Sequence, residues 1–205
     1  IGIEVQIMAY QFVYSPLDKT TFYKCNIIKK TKGDISNAII SLFVDPDLGN
    51  FDDDYVGCNI KNNIGFAYNS NSFDTSTLVQ GYGENSPVVS TSLLSQKMGS
   101  FVYFTNTYGQ MNSDPVTEIQ IRSIMEGKTN NGTNFTLGGD GMTGTVPTKY
   151  LFPGNPAISS EWSMNSAALI PKDVRYLQSS DPLDLEYNIP VNFDFIVNIY
   201  DIKNY

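Results

Sequence analysis

The segment Val191–Ile202, with the sequence VNFDFIVNIYDI, decides the fold class. Apolar side chains recur at every second position from Val191 to Ile199, and polar Asn192, Asp194 and Asn198 stand between them. Side chains alternate between the two faces of a strand, so this pattern predicts a β-strand with one buried face and one polar face. We expect this strand to pair with a strand near the start of the chain.

The chain before this segment also favours strands. Period-two alternation predicts strands at residues 3–14, 22–29 and 38–44, separated by the turn sequences YSPLDK and KTKGD, and these should form an antiparallel meander. Residues 45–96 are rich in Asp, Asn, Gly and Ser, which predicts long loops with short strands.

One short helix is predicted near residues 114–126. Asp114 is expected to cap it, Pro115 to occupy its first position and Gly127 to end it. The chain contains neither a repeat nor a linker. We therefore predict a mostly-β fold over residues 1–205: a single antiparallel β-sandwich with long loops and one short helix.

Composition supports this fold class and excludes several functions. The chain has 13 Tyr and 12 Phe, which favour strands, a net charge of −8, and no His. An acidic domain repels phosphate, so we expect no nucleic-acid partner, and the apolar runs are too short for membrane insertion. Without His, and without two acids at a distinctive spacing, we expect no enzyme.

The stretch from Asp45 to Asp54 concentrates acidic side chains around Gly49-Asn50, a dipeptide that permits a tight reversal of the chain. The candidate calcium ligands are Asp45, Asp47, Asn50, Asp52, Asp53 and Asp54. Carboxylates held this close repel one another, and Ca²⁺ removes that cost because it takes oxygen ligands. The alternative is a solvated acidic turn in which the Asp side chains cap backbone amides.

Two smaller groups of residues each leave two interpretations open. Tyr150, Phe152 and Trp162 flank the PGNP sequence, where they would either stack on sugar rings or pack as loop anchors. Cys25 and Cys58 would either form a disulfide that encloses the acidic loop or remain buried thiols.

Several motifs together carry a family resemblance. They are TTFYKCNIIKK at 20–30, LFVDPDLGNFDDDYVGCN at 42–59, IGFAYN at 64–69, QKMGSFVYF at 96–104, GGDGMTGTVPTKYLFPGNP at 138–156 and KDVRYLQSSDPLDLEY at 172–187. In this order they resemble a domain that recurs in large secreted and surface proteins of the Bacteroidota type, many of which end in a type IX secretion sorting tail. The resemblance implies an extracellular, non-catalytic, β-rich domain.

Two functions therefore remain open. The first is a structural or adhesion module of a secreted or cell-surface protein, with a calcium-stabilised loop. The second is a carbohydrate-binding module attached to an enzyme elsewhere in the full chain. The sequence opens directly on the predicted strand at 3–14, so we expect a domain excised from a larger protein. Its expected partners are other domains of that protein, surface glycans or other surface proteins.

Overall fold

The computed structural model describes residues 2–75, 81–107 and 109–201. Its strands are β1 (Ile3–Gln11), β2 (Thr20–Lys29), β3 (Ile35–Ala38), β4 (Ser41–Val44), β5 (Asp54–Asn59), β6 (Ile64–Asn69), β7 (Phe73–Asp74), β8 (Gly83–Glu84), β9 (Val88–Leu93), β10 (Met98–Thr105), β11 (Phe135–Thr136), β12 (Pro147–Thr148), β13 (Val174–Ser180), β14 (Leu183–Leu185), β15 (Pro190–Asn192) and β16 (Phe195–Tyr200). The helix α1 spans Glu118–Met125, and single 3₁₀ turns cover Phe51–Asp53 and Ile60–Asn62.

Two antiparallel sheets form the body of the domain. The larger has seven strands in the order β1-β2-β16-β9-β6-β5, with β15 also paired to β2, and the smaller has the order β10-β13-β4. Side chains from both sheets build one hydrophobic core, which includes Val56 and Leu93 of the large sheet and Phe101 and Leu177 of the small one. The predicted β-sandwich is confirmed.

The two sheets approach closely at Gly65, in β6. A Cβ at this position would lie 2.8 Å from the ring of Phe101 and 2.9 Å from the ring of Tyr176, so the missing side chain makes room for two aromatic rings. A polar bridge also joins the sheets. Thr91 Oγ1 lies 2.9 Å from the Tyr176 hydroxyl and donates to Gln178 Oε1 at 2.9 Å.

The last strand pairs with β2 as predicted, but it is divided. β15 and β16 follow one register along β2, and the break lies at Phe193 and Asp194. At the break, the Asp194 carboxylate takes the place of a backbone acceptor, since Oδ1 accepts a hydrogen bond from the Cys25 amide at 3.0 Å. Phe193 points into the core, as the alternation predicts.

Two of the local predictions are wrong, and a third is right only in part. Residues 38–44 are not one strand in a meander, because β3 pairs with β14 and β4 pairs with β13. Residues 45–96 contain loops with short strands, as predicted, but three of these strands, β5, β6 and β9, are half of the ordered path through the large sheet. The helix is present, but Thr117 caps it in a reciprocal capping box with Gln120, so Asp114 and Pro115 precede the helix.

The helix α1 has eight residues. No helix within the three described ranges is long and apolar enough to cross a membrane.

Candidate cation site in the acidic loop

The acidic loop, residues 45–53, leaves the small sheet at the end of β4 and enters the large sheet at the start of β5. Leu48 anchors its middle, since only 2% of the residue is exposed. The Leu48 amide donates to Asp54 Oδ2 at 2.8 Å, and the Ser70 amide donates to the carbonyl of Asp53 at 2.9 Å. The loop is therefore tied both to β5 and to the residue after β6.

The acids of this region fall into two groups, and the first already contains a cation. Carboxylate oxygens of Asp45, Asp47 and Asp173 all lie within 4.8 Å of one another. Arg175 Nε donates to Asp45 at 3.0 Å, and its Nη2 donates to Asp173 at 3.1 Å. We call these four residues the arginine cluster. A fixed guanidinium neutralises part of its negative charge, so it is the weaker candidate for a metal ion.

The second group consists of Asp53, Asp54 and Asp74 together with Asn69, and we call it the buried acid group. Asp54 and Asp74 are each only 1% exposed. Asp74 accepts hydrogen bonds from two backbone amides, those of Asn50 at 3.0 Å and Tyr82 at 2.7 Å. Among the described residues, no Lys or Arg forms an ion pair with these three carboxylates.

Three buried oxygens of this group have no hydrogen-bond partner. They are Asp53 Oδ1, Asp54 Oδ1 and Asn69 Oδ1. Asn69 lies directly opposite Asp54 in the β5–β6 pair, and its Nδ2 donates to the carbonyl of Asn71 at 3.1 Å. When the two carboxyl groups are ionised, all three atoms are acceptors, and a buried acceptor without a donor costs about 1–3 kcal/mol, more when it is charged. A positively charged or hydrogen-donating group supplies what each of these oxygens lacks.

The raised pKa values of Asp54 and Asp53 also favour a bound cation. Burial, and after it the charges of Asp53, Asp74 and Asp47, raises the pKa of Asp54 to about 8, against the opposing effect of the Leu48 amide. Burial is also the main cause that raises the pKa of Asp53, and the charge of Asp74 adds to it. Ionised carboxylates in the buried acid group are therefore unfavourable unless a positive charge lies close to them.

Two glycines allow the backbone to close around Asp74. Gly49 has a φ of +70°, and a Cβ on it would lie 1.8 Å from Asp74 Oδ2. A Cβ on Gly81 would lie 2.7 Å from Asp74 Oδ1. The Asp74 carboxylate therefore occupies the space that side chains at these two positions would take.

The structure divides the six ligands predicted from sequence. Asp45 and Asp47 belong to the arginine cluster, whereas Asp53 and Asp54 belong to the buried acid group. Asn50 directs its backbone amide to the Asp74 carboxylate, and Asp52 is exposed. Sequence reasoning missed Asn69, which lies opposite Asp54 through strand pairing, and Asp74, which lies in β7 and accepts a hydrogen bond from the loop. Gly49 was the available signal, since a close approach of backbone to a neighbouring group calls for glycine.

The three aromatic candidates pack as anchors. Phe152 is completely buried, so it offers no face to a sugar, and its ring lies 5.2 Å from that of Trp162. Trp162 Nε1 donates to the carbonyl of Gly139 at 3.0 Å, and the Tyr150 hydroxyl donates to the carbonyl of Met98 at 3.0 Å. Their polar atoms and rings thus join loops to the core, and the packing interpretation accounts for them.

Of the two interpretations of the cysteines, the structure supports buried thiols. Cys25 and Cys58 are both free, buried thiols. Cys25 lies in β2 and Cys58 in β5, with β16, β9 and β6 between them. Four strand spacings amount to roughly 19 Å, whereas a disulfide needs Cα atoms about 4.4–6.8 Å apart. Burial raises the pKa of both thiols, so neither is an activated nucleophile.

Fold and site together define an antiparallel β-sandwich with an acidic, oxygen-rich group of side chains beside the loop that connects its two sheets. Comparison with protein-family models and with curated proteins gives no match for this chain. Its function is therefore argued from the chemistry of the site.

Proposed function

We propose that this domain is a non-catalytic extracellular structural or adhesion module of a larger secreted or cell-surface protein, and that Ca²⁺ bound by the buried acid group stabilises its acidic loop. One observation carries the proposal. The Asp54 carboxylate is only 1% exposed, lies among other acids and keeps one oxygen without a partner. A bound cation offsets all three costs at once.

The donor set fits calcium better than other metals. The unpartnered atoms are oxygens of Asp53, Asp54 and Asn69, and Asp74 adds a further buried carboxylate. Ca²⁺ binds six to eight such oxygens in flexible geometry, whereas Mg²⁺ demands a near-ideal octahedron and keeps several waters. Zinc favours nitrogen and sulfur ligands, and the chain has no His.

A structural role agrees with the position of the site. Asp54 and Asp74 accept hydrogen bonds from the loop amides of Leu48 and Asn50 and are buried, so they stabilise chain geometry and are shielded from a substrate. Extracellular modules bind Ca²⁺ with dissociation constants on the order of 10⁻⁴–10⁻³ M. The motif resemblance to secreted Bacteroidota-type proteins supports the same location.

Calorimetric titration of chelator-stripped protein with Ca²⁺ tests this proposal, together with melting curves in chelator and in millimolar Ca²⁺. We expect saturable heat, a higher melting temperature with Ca²⁺ and little response to Mg²⁺. The adjacent variants Asp53→Asn and Asp52→Asn form a matched pair, because only Asp53 belongs to the buried acid group. Asp53→Asn should weaken binding, and Asp52→Asn should retain it.

Two results would contradict the proposal. The first is the absence of both binding heat and a melting shift in the wild-type protein at millimolar Ca²⁺. The second is substrate turnover that a single Asp or Glu substitution abolishes, since that would show the chain to be an enzyme.

A further inference from the structure

A groove with a volume of about 580 Å³ lies between the end of β6, the start of β9 and the PGNP loop. We call it the asparagine groove. Its apolar surface comes from Phe66, Val88 and Pro156, and amide side chains of Asn69, Asn71, Asn85 and Asn155 line it; Asn69 also belongs to the buried acid group. Among the described residues, no charged side chain lines the groove, although the chain carries a net charge of −8.

Two of the amides are held in fixed orientations. Asn71 Oδ1 accepts a hydrogen bond from the Phe73 amide at 2.8 Å, and Asn155 Oδ1 accepts one from the Ala157 amide at 3.0 Å. Each bond leaves the Nδ2 group of the same side chain without a partner among the described residues. The groove therefore presents two oriented hydrogen-bond donors next to an apolar surface, which lowers the entropy cost of binding a polar ligand.

We propose that the asparagine groove binds a neutral oligosaccharide chain. Sugar hydroxyls accept and donate hydrogen bonds, which amides match in both directions, and the C–H face of a sugar ring suits Phe66 and Pro156. An uncharged lining suits a neutral glycan better than an acidic one. This inference gives the ligand class for the adhesion role proposed above and rests on that role.

The alternative ligand, an extended peptide, is less well matched. Peptides bind sheets by adding a strand to a free edge. β6 lies between β5 and β9, and β9 lies between β6 and β16, so neither of these two strands has a free edge for a peptide to join. Recognition must therefore come from side chains, as it does for sugars.

The test is calorimetric titration of calcium-loaded protein with four neutral hexasaccharides, derived from cellulose, mannan, xylan and chitin, and with a neutral casein-derived peptide pool. We expect saturable binding of at least one sugar. Ala157→Trp fills the groove and should weaken binding by tenfold or more. Ser159→Trp, on the same loop and also exposed, should bind like the wild type.

A third variant tests the oriented donors. Asn155→Asp keeps an oxygen for the Ala157 amide but loses the Nδ2 donor, so we expect roughly tenfold weaker binding with little change in melting temperature. Failure of all four sugars to bind, binding of the peptide pool alone, or equal affinity of the Ala157→Trp variant would overturn the inference. Each of these results leaves the Ca²⁺-induced melting shift intact, so the two proposals fail separately.

Discussion

Replacing Asp54 with Asn removes one charge from the buried acid group and preserves its shape. The new side chain keeps an oxygen for the Leu48 amide, and its Nδ2 group becomes a donor in a site where Asp53 and Asn69 have unpartnered oxygens. We expect the calcium-free variant to be more stable than the calcium-free wild type, and we expect it to lose its response to Ca²⁺.

The magnitude follows from the pKa of Asp54, which burial and neighbouring acids raise from 3.8 to about 8. A carboxyl group whose pKa is raised in the folded state makes its full contribution to the free energy of unfolding below pH 3.8. This contribution is lost as the pH rises towards 8. At about 1.36 kcal/mol per pH unit, the loss is about 4 kcal/mol at pH 7. Burial of the new amide offsets part of the gain, so we expect a net stabilisation of roughly 2–4 kcal/mol, or about 5–12 °C.

Thermal unfolding followed by circular dichroism at pH 5, 7 and 9 measures this effect, in chelator and in millimolar Ca²⁺. In chelator, the advantage of Asp54→Asn should grow from pH 5 to pH 9, because the wild-type carboxylate ionises at increasing cost. In Ca²⁺, the wild-type protein should recover its stability and the variant should not change. A variant that is less stable than the wild type in chelator at pH 9, or that keeps the full Ca²⁺ response, would refute the reasoning.

Three other predictions concern the loop and the thiols. Gly49→Ala should lower the free energy of unfolding by several kcal/mol and abolish the Ca²⁺ response. Gly33 also has a positive φ but has open space around it, so Gly33→Ala should lower the free energy of unfolding by only about 1 kcal/mol in denaturant melts. Arg175→Gln should destabilise the domain by roughly 2–4 kcal/mol, because it leaves the buried side of the arginine cluster without its cation; an unchanged denaturation midpoint would contradict this. Cys25 and Cys58 should both be alkylated after unfolding without reductant, and an intact mass with no added alkyl groups would show a disulfide instead.

The sequence predicted the sandwich and its last strand because apolar alternation marks strands with one buried face. It failed in β9, where Ser90, Thr91 and Ser92 are all buried although they are polar. Thr91 is tolerated in the core because it bonds to side chains of the opposite sheet, and no local pattern reveals such a partner.

The acidic loop also shows that a local sequence pattern does not reveal tertiary partners. Asp53 and Asp54 were identifiable because they lie within a dense run of acids. Asp74 lies 20 residues beyond Asp54 in the sequence, and it reaches the site through the turn after β6. Residues brought together by the tertiary fold cannot be identified from their spacing along the chain.

The polar bridge between the sheets fixes their position relative to each other. Apolar contacts alone tolerate small sliding movements of one sheet over the other. Displacement of Thr91 by one residue, however, would leave the Tyr176 hydroxyl and Gln178 Oε1 buried without this partner, at about 1–3 kcal/mol for each unsatisfied group. The acidic loop spans these two layers, from β4 to β5. The distance between its two ends is therefore set by the interior of the domain before any ion arrives.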